Sequence, residues 1–138
     1  VMVGQTSRMF RSIRGDLMEF DQHAQEDLYA RAATYLRQAF GELADPLEDE
    51  PAFRLDLGKV HLLVAVDANG PEKASVTVYN VVGRGLAITP DVAIFLLRKN
   101  HETPFGALSL REDDEIAFRH ILFGESVTKD TLSMLLGC

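Results

Sequence analysis

Tryptophan is absent from these 138 residues, and cysteine occurs once, at the last position, Cys138. A single thiol closes no intrachain disulfide, so the fold must be held by its core, and a reducing cytoplasm is the expected setting. No apolar run approaches the ~20 residues of a membrane span. The opening stretch VMVGQTSRMFRSIRG also lacks the apolar block of a secretory signal, so neither membrane partners nor export are expected. Chemical signatures are equally scarce. His23, His61, His101 and His120 fall in no HxH, HExxH or cysteine–histidine pattern, and no serine lies in GxSxG. Gly83-Arg84-Gly85 precedes a predicted helix but lacks the GxGxxG or GxxxxGK[ST] context of a phosphate loop. Its two glycines fit a backbone that needs positive φ between strand and helix. No catalytic residue, cofactor site or metal ligand is expected. The alternative, a small-molecule or metal-dependent enzyme, would have to bring His61, His101 or His120 together from distant positions.

What is present is an ordinary soluble-domain composition, 46% apolar and 25% charged, in a chain long enough for one buried core. The net charge of −7 is concentrated in residues 21–50, which hold eight acids against Arg31 and Arg37. Such a surface repels phosphate backbones, so nucleic acid is not an expected partner.

Residues 1–20 are set apart as an N-terminal extension, and residues 21–138 as a single domain. Within the extension, Met9, Ile13, Leu17 and Phe20 can be drawn on one side of a short helix over residues 8–20, with Arg8, Arg11 and Arg14 around the rest. Asp16 and Glu19 dilute that charge, so it reads as a docked or frayed end rather than a membrane arm. From Asp21 to Ala44, Leu28, Ala32, Tyr35, Leu36, Ala39, Phe40 and Leu43 recur at helical spacing, and Asp45-Pro46 ends the helix before the acidic loop LEDEP, 47–51.

The period then changes to two. Phe53, Leu55 and Leu57, then Val60, Leu62, Val64 and Val66, then Val76, Val78 and Val82 alternate with polar or mixed positions, predicting three antiparallel strands. Two more strands follow around the acidic tip EDDE (112–115), and alternation places His120 among Ile116, Phe118 and Leu122. His120 is thus either a buried, hydrogen-bonded histidine or the frayed edge of an apolar face. Thr128 can cap a final helix carrying Leu132, Leu135 and Leu136. The fold class is α+β: helix, three strands, helix, two strands, helix, with a five-stranded antiparallel sheet.

The middle helix is the unusual element. Thr89 can cap it and Pro90 suits its first position. Val92 to Leu97 is apolar throughout, so a helix there needs cover on two sides. Val92, Phe95 and Leu96 are expected to face the sheet, making Phe95→Ala a loss of about 3–5 kcal/mol. Ala93, Ile94 and Leu97 are expected to face a second copy, as a homodimer interface. On the sheet face away from the helices, Arg54, Asp56, His61, Leu63, Thr77, Tyr79, Arg111 and Arg119 should lie together. Arg54, His61, Leu63, Tyr79, Arg111 and Arg119 form the candidate surface for a partner segment, with arginines for carboxylates and Tyr79 and Leu63 for apolar contact.

That element order, with its all-apolar middle helix, resembles the type III secretion chaperone-like fold. The run PDVAIFLLRKNHETPFGALSLREDDEIAFRHILFGESVTKDTL (90–132) is similar to the C-terminal half of the bacterial YbjN-like family: a helix ending in LLRKNHETPFG, a hairpin with an acidic tip, and FGESVT leading into the last helix. The resemblance covers residues 23–138, more loosely in the first half. It implies a regulatory protein with no established enzyme activity, on a fold whose secretion chaperones are small, acidic, cytoplasmic homodimers that hold extended client segments. The expectation is therefore a non-enzymatic protein-binding or regulatory domain, the alternatives being an enzyme or a purely structural dimerisation module.

Overall fold

The first helix, α1, spans His23–Phe40 and carries its apolar residues three and four apart, which gives it one face to bury. Leu28, Tyr29, Ala32, Ala33 and Leu36 on that face are all buried. Gly41, at φ +59°, adopts the left-handed conformation that stops a helix, and a single 3-10 turn at Gly41–Leu43 follows. The computed structural model describes residues 8–11, 17–20, 23–70 and 72–137, the first two groups as backbone. Cys138 lies outside them.

The sheet beneath α1 is built by alternation. β4 (Ala52–Leu57), β5 (Val60–Ala68) and β6 (Ala74–Gly83) form an antiparallel meander. β8 (Ile116–Phe123) pairs with β6, and β7 (Ala107–Leu110) lies outside β8. Phe53, Leu55, Val64, Val66, Val76 and Val78 point to the α1 side and are buried, with Tyr29 stacked on Phe53 at 4.9 Å between ring centroids. A register shift between Val81 and Gly83 breaks the alternation, and Val82, expected on the apolar face, is exposed.

Six strands make the sheet, in the order β3 (Asp45–Pro46), β4, β5, β6, β8, β7, one more than the five expected. The extra one, β3, is the pair read from sequence as a helix stop. Proline has no N–H to donate, so it suits an edge strand, and the amide of Leu47 closes the acidic hairpin by donating to the carbonyl of Ala52 at 2.9 Å. The helix expected over residues 8–20 is also corrected. The backbone forms β1 (Arg8–Arg11) and β2 (Leu17–Phe20), an antiparallel pair with Arg8 opposite Phe20. A helix that short is marginal in water and Gly15 weakens it further, whereas paired strands satisfy their own amides. Residues 12–16 lie outside the described set.

Two side chains tie α1 to distant parts of the chain. The Gln25 amide donates to the carbonyl of Val66 at 2.8 Å in a buried bond. The Arg31 guanidinium forks onto the carbonyls of Val127 and Gly124, both at 3.1 Å, and fixes the turn that leads into α3 (Lys129–Leu135). Thr128 caps α3 and Leu132 buries it against the core. Arg31→Ala is expected to destabilise the protein by about 1 kcal/mol, because charged donors are lost from a solvent-exposed site. Amide exchange should quicken in residues 124–135 while α1 stays protected.

α2 (Pro90–Glu102) lies beside β7. Thr89 caps it by accepting from the amide of Val92 at 3.3 Å. At its other end the Asn100 side chain imitates a strand: its amide donates to the carbonyl of Leu108 at 3.0 Å, and its oxygen accepts from the N–H of Leu108 at 2.6 Å. This pair of bonds sets the rotation of α2 about its axis. Val92, Ala93, Leu96 and Asn100 are half-buried along one stripe, and none of the helix is fully buried. Phe95, expected to face the sheet, is 57% exposed. Ala93 takes the inward position that Phe95 had been assigned.

Candidate functional site

Two surfaces carry the residues singled out from sequence. The first is the outer side of α2. Ile94 is 47% exposed and Leu97 70%, and three residues apart they make a short apolar strip. Exposed Phe95 lies about 100° round the helix from Ile94, on the far side of Arg98. A groove of ≈ 540 Å³ runs along the strip, lined by Ile94, Leu97, Arg98, His101 and Glu102. Asp91 and Glu102 stand at the two ends of the helix, with Arg98 and Lys99 between them. Phe105, just past the helix, is also exposed. Ala93 does not join this strip.

The second surface is the sheet face away from α1. The strand register puts Arg54, Leu63, Tyr79, Arg119 and Ala107 in one row across five strands. Leu63 and Tyr79 are half-buried, while Arg54 and Arg119 are exposed. His61 lies one row over from Arg54 and is taken up by Asp56, with Nδ1 to Oδ1 at 2.8 Å. Thr77, buried on the same face, donates to Asp67 at 3.1 Å. Arg54 borders the cleft under the acidic loop, with Asp45 and Glu48 to Glu50.

At the other end of the face, Arg111 lies over the ring of Tyr79, its guanidinium carbon 4.6 Å from the centroid. Its Nη1 donates to Glu115 Oε1 at 2.7 Å, and Arg84 Nε donates to the other oxygen at 2.8 Å. The carboxylate and the ring together hold Arg111 in one position. Arg84 and Glu115 were not anticipated as part of this surface. The signal available in the sequence was the hairpin itself, since the amide of Arg111 donates to the carbonyl of Glu115 at 2.8 Å across its tip.

The histidines do not converge. His61 is on the outer sheet face, whereas His120 is on the α1 face, in register with Val78. The His120 ring meets Phe118 edge-on at 4.8 Å and lies close to Gly106. His101 is exposed in the last turn of α2, and His23 pairs with Asp27 at 3.3 Å. Among the described residues no group of three or more histidine, cysteine or acidic side chains could hold a metal ion. No helix among them is long and apolar enough to cross a membrane. A further cleft, ≈ 540 Å³, opens beside α1 and is lined by side chains of both charges, including Asp27, Arg31, Lys73 and Glu125. No family model matches the chain, and no curated protein matches it.

Proposed function

We propose that this chain is a non-enzymatic protein-binding or regulatory domain of the YbjN-like, type III secretion chaperone-like kind, working as a homodimer in a reducing cytoplasm. The observation that carries the reading is the exposure of Ile94, Phe95 and Leu97. Their helix is capped at one end and bonded to the sheet at the other, yet its large apolar side chains face outward. Three large exposed apolar side chains on a well-specified helix make a surface for association. A second copy suits it, because a twofold axis across the helix brings the acidic first turn of one α2 toward Arg98 and Lys99 of the other, and the helix dipoles oppose. The outer sheet face then remains open on each subunit for a segment of a partner protein.

In sedimentation, the wild-type chain is expected as a dimer. Ile94→Asp with Leu97→Asp is expected as a folded monomer, since the interface would bury two unpaired carboxylates. A wild-type chain that stays monomeric at high concentration removes the reading of α2 as an interface between copies.

A further inference from the structure

The outer sheet face is not uniform, and its two ends offer opposite chemistry. At the β4–β5 end Arg54 sits in the cleft of the acidic loop and His61 is already bonded to Asp56. An incoming anion meets the carboxylates of Asp45, Glu48, Asp49 and Glu50 around Arg54 there, a repulsive setting. At the β6–β8–β7 end Arg84 and Arg111 share a single carboxylate, Glu115, and Arg119 stands four residues further along the chain in β8, in a protein whose net charge is −7. Among the described residues Arg119 has no ion-pair or hydrogen-bond partner, and it is exposed. It stands directly across from Tyr79 in the strand register, so the ring of Tyr79 has the Arg111 guanidinium over it and Arg119 beside it. The acids of the hairpin tip, Glu112 to Asp114, lie in the turn before β8, five or more residues from Arg119. At ~3.4 Å per residue that separation exceeds the ~8 Å Debye length of physiological salt, so they screen Arg119 weakly.

We infer that this end of the face, centred on Arg119, Tyr79 and Arg111, is a docking site for an acidic, extended segment of a partner protein. The inference rests on the protein-binding reading above and narrows it to one charge and one half of the sheet. A carboxylate of the segment pairs with Arg119, which is exposed and has no partner among the described residues. A neighbouring apolar side chain lies on Tyr79 and Leu63, both half-buried in the same row. Arg111 is held by Glu115 and the Tyr79 ring before any ligand arrives, so little side-chain entropy is lost on binding.

The test is fluorescence anisotropy of the full chain with three short labelled peptides that alternate leucine with glutamate, glutamine or lysine. The glutamate peptide is expected to bind, with affinity falling as salt is added. Arg119→Glu is expected to weaken it about tenfold or more, and Arg119→Ala by less, with melting unchanged in both because the side chain is exposed. Arg54→Glu is expected to alter it by less than about twofold. Equal binding of the glutamine peptide, an effect at Arg54 as large as at Arg119, or none at Arg119 would each overturn the inference. So would a change in the oligomeric state of the protein alone on Arg119→Glu, which would make a second copy the occupant. Binding of only the glutamine or lysine peptide sinks the inference and keeps the protein-binding reading of the face. Binding of none of the three sinks both.

Discussion

Replacing Phe53 with alanine lowers the unfolding free energy by about 3–5 kcal/mol, the range for a buried aromatic whose cavity cannot collapse. Phe53 is fully buried in β4, faces Val64 across the strand pair, and carries the stacked ring of Tyr29 from α1. Its loss therefore loosens the helix from the sheet as well as leaving a void. A domain of this size has about 5–15 kcal/mol in all, so the variant should be partly unfolded in mild denaturant. Urea titration by circular dichroism measures it. A shift below about 1 kcal/mol would mean that α1 does not lie where Tyr29 and Phe53 stack. The same change at Phe95 should alter the unfolding of an isolated subunit by less than about 1 kcal/mol, because that ring is mostly in water and touches little beyond the Lys99 ammonium, 5.6 Å from its centroid.

Gly106→Ala should be nearly as damaging, by a different route. Gly106 has φ +71°, and a Cβ there would lie 2.6 Å from the carbonyl oxygen of Arg119 and 3.0 Å from the His120 ring. The nearest obstacle is backbone in the middle of β8, so nothing flexible can move aside. Left-handed strain and overpacking together give about 2–5 kcal/mol. Gly85→Ala is the control: φ is +70°, nothing lies within 4 Å, and only the conformational penalty of about 1 kcal/mol applies. Equal melting temperatures for the two variants would show that the turn before β7 does not approach β8 this closely.

These glycines mark the boundary of what could be read from the chain alone. Alternation at Phe53 and Leu55, at Leu62, Val64 and Val66, and at Val76 and Val78 identifies the core face, because a strand has a period of two and one covered side. Thr89-Pro90 likewise announces the start of α2. The rotation of α2 was not legible, since six apolar residues in succession carry no phase. It is set by one polar side chain, Asn100, whose need for partners is met by Leu108. The β1–β2 pair was missed because over a few residues strand and helix spacings both place apolar groups together. The candidate sheet row was legible as a face, since alternation puts Tyr79 and Arg111 on the same side. Their stacking was not, because it depends on the Glu115 carboxylate at the far end of the hairpin.

Asn100 has one more consequence. By occupying both polar groups of Leu108 in the middle of the four-residue β7, it plugs the outer margin of the sheet, where another strand would otherwise add. Growth into ribbons or fibrils is hindered on that side by this carboxamide together with α2, which lies beside the strand. Asn100→Ala would unstopper it, and a concentrated solution of that variant should turn cloudy on standing while the parent stays clear.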